Sequence, residues 1–376
     1  MEILFWGSIL LIFHAYFGYP LSLWALSAFR KRPVRKRPFT PSLTLIVAAF
    51  NEGKRIREKL ENTLAVDYPR DRLQVVIASD GSTDATHAIV QEYADRGIEL
   101  LALPERRGKE AAQRAAVARA QGEIIVFSDT ATRLDPGGLR EIAANFSDPS
   151  VGCVSSVDRV LGADGRPCGE GFYVRYEMWL RSLESRVNSL VGLSGSFFAA
   201  RRELSQDLST DMDSDFRTVL NSMKLGLRGV SDPDAIGYYR DVPDSQQEFH
   251  RKVRTVLRGQ TVFFRNLEFL NVFRYGLFSY QYFCHKLLRW LVPLFLVAAL
   301  VTNLILAFQS AFYALMLLAQ MGFYGIALAT WSGLVRSDSG SIRIPLYFVM
   351  VNIGIAVAWW RYVSGNRITT WAPSRR

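Results

Sequence analysis

From residue 3 to residue 29 the chain carries no charged side chain, a stretch longer than the roughly 20 residues a helix needs to cross a bilayer. In hydrocarbon a segment must satisfy its own backbone polar groups, so residues 1–29 are expected to form one spanning helix. A cleaved leader fits less well: the run is too long, no basic region precedes it, and the small-residue cleavage pattern is missing. Three more uncharged runs lie near the other end, residues 291–308, 311–334 and 344–360. Only Gln309 and Ser310 separate the first two, which read as a hairpin of spans. The third, the shortest, either spans or takes a re-entrant or interfacial path.

Charge orients these segments. Arg30, Lys31, Arg32, Arg35, Lys36 and Arg37 follow the first run directly, and the positive-inside bias places them, with the middle of the chain, on the cytoplasmic side of the cell (inner) membrane. They supply 6 of the net +10, and no nucleic-acid reader motif accompanies the rest, so nucleic acid is not expected as a partner. Arg336 and Arg343 in the loop between the second and third C-terminal runs fit the cytoplasmic side, whereas a third span would put Arg367, Arg375 and Arg376 outside. Cys153, Cys168 and Cys284 lack metal-ligand spacing and read as reduced thiols. The expected organisation is an N-terminal transmembrane helix (1–29), a basic linker (30–41), a cytosolic domain (42–260), interfacial helices (261–285), a C-terminal membrane region (286–363) and a basic tail (364–376).

The middle of the chain repeats one pattern, an apolar strand that ends in polar or acidic residues. In residues 122–136, Ile124, Ile125, Val126 and Phe127 form the continuous run of a strand covered on both faces, and Asp129 follows. Ligands bind at that edge of open α/β sheets, so Asp129 is a candidate for a metal ion or a sugar nucleotide; equally, it could cap the turn before a helix starting at Pro136. A strand at 42–50 runs into Asn51 and Glu52 and then a basic amphipathic helix over 54–64. The strand 73–79 runs into Asp80, Gly81, Ser82, Thr83 and Asp84, where Ser82 or Thr83 is expected to cap the next helix. After a short strand at 98–103, Lys109 opens an Ala-rich helix over 110–120, although a cation there opposes the helix dipole. That misfit points to an anionic partner such as a diphosphate. Four β-then-α units in succession imply an α/β fold with a mostly parallel sheet, helices on both faces, and Asn51, Asp80, Lys109 and Asp129 along one edge.

Farther on, Tyr176, Trp179, Leu180 and Leu183 sit at helical spacing in 171–185 and read as core. Residues 192–204 make a glycine-rich turn, with Ser194 and Gly195, leading into a strand. Asp211, Asp213 and Asp215 crowd the start of a helix, more acid than a cap requires, as a general base or a second metal contact would demand. Arg251, Arg254 and Arg258 form a stripe on a basic helix, which suits lipid headgroups or, for Arg251 and Arg254, a diphosphate.

Taken in order, these motifs resemble the inverting family-2 glycosyltransferases, in particular the membrane-bound branch with the cellulose and hyaluronan synthases. VAAFNE, with Asn51 and Glu52, resembles the first nucleotide strand; ASDGSTDAT, with Asp80, the uracil- and ribose-binding motif; RRGKEAA, with Lys109, the Gly-Lys loop. VFSDTAT stands at the metal-binding D-x-D position, GLSGSFFAARREL at the acceptor segment, and DSDF, with Asp213 and Asp215, at the catalytic-base motif. RKVRT, with Arg251 and Arg254, stands where processive relatives carry Q-x-x-R-W. The departures are Ala131 at the second metal carboxylate, Arg114 for an asparagine, and Arg251 and Thr255 for Gln and Trp.

The resemblance implies a GT-A-like domain flanked by one N-terminal and two or three C-terminal spans. It implies Asp215 as catalytic base, Asp129 as ligand of a divalent metal (Mg or Mn), and single or few sugar additions. The implied partners are a nucleotide-sugar donor, UDP-linked in the family pattern, a lipid-linked or growing-glycan acceptor, and membrane lipid. Two other readings remain: a catalytically impaired relative acting as a scaffold in polysaccharide assembly, and a transporter. Against the second, His14 is the sole ionisable residue inside the four runs.

Overall fold

The structure is a computed structural model that describes residues 1–162, 172–206, 212–240, 245–335 and 340–366. Cys168, Asp211, Arg336 and the tail from Arg367 lie outside the described residues. The chain divides into two compact units, one of residues 25–243 and one of residues 1–24 with 244–367.

The first unit is built on an eight-stranded mixed sheet. Its strands are β1 (Leu43–Ala49), β2 (Leu73–Ser79), β3 (Ile98–Ala102), β4 (Ile124–Asp129), β5 (Arg133–Leu134), β6 (Val151–Leu161), β7 (Phe197–Arg201) and β8 (Arg228–Arg240). They lie in the order β3-β2-β1-β4-β7-β6-β8-β5. The first four are mutually parallel, as successive β-then-α units require, because the helix between two strands returns the chain to the starting edge. Beyond β4 the direction changes: β7 runs antiparallel to both β4 and β6, β8 is parallel to β6, and β5 is antiparallel to β8. The sheet is therefore parallel in the half where the sequence repeats itself and mixed in the half where it does not.

Register aligns the functional edge. Ala48 pairs with Asp129, Ala49 with Ser79, and Ser79 with Ala102, so the parallel strands end level. Because β7 is antiparallel, its first residue, Phe197, pairs with Ser128 near the end of β4, and the turn before β7 lies at the same edge. Alternation along β4 sends Ile124 and Val126 into the main core, with Leu45, Val47, Val75 and Ile77, while Phe127 points to the other face and stacks on Phe198 with ring centroids 4.7 Å apart.

Part of the basic linker is a strap on this unit. The Arg35 amide donates to Asp148, Lys36 forms salt bridges with Glu141 and Asp232, and the buried Arg228 donates to the Arg32 carbonyl.

Among the described residues four helices are long and apolar enough to cross a membrane: Glu2–Phe29, Leu277–Leu306, Ala311–Trp331 and Ile342–Val363. One of these is near the N-terminus and three are toward the C-terminus. The second begins well before the uncharged run and takes in His285, Lys286 and Arg289, the last with its guanidinium 5.7 Å from the Tyr16 ring. The aromatic residues ahead of it pack into a cluster, with Phe263 stacked on Tyr282.

Phe127 and Phe198 join the parallel and antiparallel halves of the sheet, so Phe127→Ala is expected to destabilise the unit by about 3–5 kcal/mol. A thermal melt of the purified protein reads this as a clear fall in midpoint. An unchanged midpoint would remove that role from the stack.

Candidate active site

The site is built on the end of β4. The Asp129 amide donates to the Ser196 carbonyl at 2.9 Å, which ties β4 to the turn before β7. From the first turn of the helix Lys109–Val117, the Lys109 ammonium donates to Asp129 Oδ1 at 2.5 Å and to the Gly195 carbonyl at 3.2 Å. Burial works to lower the lysine, but the Asp129 carboxylate outweighs it, with help from Glu110 and Asp215, and holds the ammonium above its ordinary pKa. The cation that the helix dipole disfavours is held by a carboxylate from the neighbouring strand.

Gly195 links this pair to Asp215. A β-carbon on Gly195 would lie 2.6 Å from Asp215 Oδ2, so the carboxylate packs directly on the glycine backbone. Asp215 stands in the first turn of the helix Ser214–Lys224 and accepts from the Phe216 amide at 2.6 Å, and Asp213 occupies the N-cap position. The hydroxyls of Ser194 and Ser196, on either side of Gly195, both donate to Asp158 at 2.5 Å. The turn that places Gly195 is thus gripped from β6.

Asp80, buried at 2 % exposure, accepts from the Arg107 and Gly108 amides at 2.7 and 2.8 Å. This explains the acid before the turn: it fixes the loop that delivers Lys109. Gly108 has φ of +102°, a conformation that glycine adopts without strain. Asn51 is in the left-handed region at φ +51°, where asparagine is tolerated; its amide donates to Ser82 Oγ and its side-chain oxygen accepts from the Thr83 amide. Ser82 and Thr83 therefore bind the end of β1 and do not cap the next helix. Ala85 holds the N-cap position, and Asp84 just before it accepts from the amides of Thr86 and Gly53. Burial tends to raise the Asp84 pKa, but the Thr86 hydroxyl, with the Gly53 and Thr86 amides, holds the carboxylate below its ordinary range. Glu52 is buried with its carboxylate on Arg55, and burial raises its pKa.

Asp129, Lys109, Gly195 and Asp215 thus form one continuous run of contacts flanked by Ser194 and Asp213, with Asn51 and Asp80 organising adjacent loops of the same edge. Glu52 faces inward to Arg55. Arg251 and Arg254 belong to the other unit, on the helix Ser245–Phe264.

Among the described residues no group of three His, Cys, Asp or Glu side chains is placed to hold a metal ion. Asp129 offers one hard carboxylate, with Ala131 two residues on. Such a donor set suits a divalent cation whose remaining ligands are phosphate oxygens and water.

Two contributors were not read from the sequence. Asp158 interrupts an apolar strand, which is its one visible signal. Lys59 falls at helical spacing with Ile56, Leu60 and Thr63 on a buried face, where an apolar residue is the usual occupant. Its ammonium donates to Ser128 Oγ at 2.7 Å and to the Thr132 carbonyl at 2.6 Å. Burial pushes it down to about 7, with partial relief from Asp129.

The sequence profile described as Glycosyl transferase family 2 matches residues 44–208. An N-acetylglucosaminyltransferase of Azorhizobium caulinodans is 30% identical over 154 residues, 40% of this chain and 38% of that protein. A beta-monoglucosyldiacylglycerol synthase of Synechocystis is 27% identical over 231 residues, 55% of this chain and 48% of that protein. The matches span half or less of these relatives' lengths. Among solved structures, a mannosyltransferase of Pyrobaculum calidifontis in complex with GDP-Man and Mn2+ superposes with a TM-score of 0.74 at 25% identity, covering 97% of this chain and 100% of that one.

Asp80→Asn replaces one acceptor oxygen with an amide that faces a backbone N–H. A loss of about 1–3 kcal/mol is expected, read as a lower melting midpoint with faster proteolysis at Arg106 and Arg107.

Proposed function

We propose that this chain, whose residues 44–208 form a glycosyl transferase family 2 domain, transfers a sugar from a nucleoside diphosphate donor to a lipid-linked or growing-glycan acceptor, with inversion at the anomeric carbon. The observation that carries the reading is the unbroken run Asp129, Lys109, Gly195, Asp215 at one sheet edge. A cation suited to phosphate and a carboxylate suited to proton abstraction thus meet the same backbone turn. The named relatives act in glycan and glycolipid synthesis, which favours an acceptor of that kind.

In this reading Asp215 accepts the acceptor hydroxyl's proton as that oxygen attacks the anomeric carbon, and the bond to the diphosphate oxygen breaks. Lys109 stabilises the negative charge gained by the departing diphosphate. Asp80 holds the Lys109 loop, and the Asn51 and Asp80 end of the edge is left for the nucleoside. Ser194 and Gly195 shape the acceptor side, with Asp158 fixing their turn. Asp129 would hold a divalent cation, Mg or Mn, that supplies Lewis acidity to the diphosphate when bound. The donor base is uridine in the reading that the Asp80 motif favours, and the solved neighbour's GDP-Man puts guanosine in the same screen.

Membranes containing the protein, screened with labelled UDP- and GDP-sugars, test the activity. Asp215→Asn is expected to slow transfer roughly 10²–10⁴-fold while leaving donor binding intact; transfer at the wild-type rate would remove Asp215 as the base. Turnover by no donor, with binding retained, would favour the scaffold reading that Ala131 keeps open.

The basic linker places the glycosyltransferase unit on the cytoplasmic side in this reading. A reporter fused after residue 240 is expected to report cytoplasm. A periplasmic signal would reverse the orientation.

A further inference from the structure

The helix Ile56–Leu64 grips the segment that carries Asp129 at three points. Lys59 donates to Ser128 Oγ, immediately before Asp129, and to the Thr132 carbonyl, three residues after it. The turn between them is closed by the Thr132 amide on the Asp129 carbonyl at 3.1 Å. One turn along the same helix face, Asn62 exchanges two hydrogen bonds with the backbone of Leu134, at 2.9 and 2.8 Å.

The chemistry at Lys59 is out of proportion to packing. An ammonium at 2 % exposure whose hydrogen-bond acceptors are a hydroxyl and a carbonyl bears a desolvation cost that a methionine of similar length would avoid. Asn62 already secures the far end of the segment without a charge. What the lysine nitrogen adds is a pair of hydrogen bonds that bracket Asp129, one to the Ser128 hydroxyl before it and one to the Thr132 carbonyl after it, while Lys109 holds the carboxylate itself.

We propose that Lys59 is the positioning residue of the donor-diphosphate subsite: its buried ammonium fixes the Ser128–Thr132 turn and so sets where Asp129 and Lys109 present their charges to the donor. This rests on the reading of Asp129 and Lys109 as that subsite. Lys59 acts through the turn and not by touching the donor, so its removal weakens diphosphate binding only while Asp129 is there to be misplaced.

A double-mutant cycle on the full-length protein in detergent tests this, with UDP and GDP, each with Mn2+, titrated by calorimetry. Lys59→Met is expected to bind the preferred diphosphate roughly 10- to 100-fold more weakly than wild type, with a melting midpoint within a few degrees. Asp129→Asn also binds more weakly, and the double variant binds no more weakly than Asp129→Asn alone. Wild-type affinity in Lys59→Met overturns the assignment, and so does full additivity, which is the signature of a general structural role. If wild type binds the diphosphate and only these outcomes fail, the donor reading stands without Lys59. If wild type binds neither nucleotide, the donor reading and this proposal fall together. Should Lys59→Met not fold, Ser128→Ala, which removes one acceptor and keeps the lysine, is expected to weaken binding roughly 5-fold; unchanged affinity there overturns the proposal.

Discussion

The Lys109 ammonium joins segments that lie far apart in the chain. It reaches from the helix that follows β3 to the last residue of β4 and to the turn before β7, and it adds a side-chain contact where the parallel and mixed halves of the sheet meet. The arrangement depends on a buried charge being paired: an ammonium in this position without Asp129 would be expensive, and Asp129 without it would be a half-buried carboxylate facing a backbone carbonyl. Asp80 fixes the loop that brings the lysine, Asp158 fixes the turn that brings the carbonyl, and Lys59 fixes the strand end that brings the carboxylate. Three residues thus act on one contact from three directions.

The parallel half of this design was legible in the sequence because it is periodic. Apolar runs that end in Asn51, Asp80 and Asp129, with Lys109 beyond the loop of a third, share the same edge once the strands are parallel, and β2 ends where its apolar run ends. Gly195 and Asp215 were singled out by a glycine-rich turn, by acids crowded at a helix start and by the resemblance of their motifs. Their closeness to Lys109 was not, because it depends on β7 entering the sheet antiparallel, and no local pattern encodes strand direction. Lys59 and Asp158 escaped for a related reason. Each looks locally like an error, a charge on an apolar face, and its use appears only when a partner distant in sequence is brought up to it. The helix Thr86–Gln91 starts beyond Ser82 and Thr83 because both are engaged by Asn51, a long-range contact that overrides the usual preference of hydroxyls for helix starts.

The apolar ends follow simpler rules. Length and hydropathy alone identify four helices able to cross a bilayer, and the uncharged runs coincide with most of each. Where the helix from Leu277 outgrows its run, Arg289 lies against the Tyr16 ring. The linker between these ends and the sheet is less of a pure charge signal than its composition implies, since Lys36 is committed to Glu141 and Asp232 and the backbone of Arg32 to Arg228.

The change of strand direction at β4 also bears on how the chain assembles. Strands β1 to β4 come from one continuous stretch, residues 43–129, and each pairs within it, so this half can condense as soon as it leaves the ribosome. Strand β6 must wait for β8, about 77 residues downstream at the register Val151–Arg228, and loop closure of that length slows nucleation. Asp215 arrives in this later half. A nascent or truncated chain therefore acquires Lys109 and Asp129 first and Asp215, on the helix Ser214–Lys224, last.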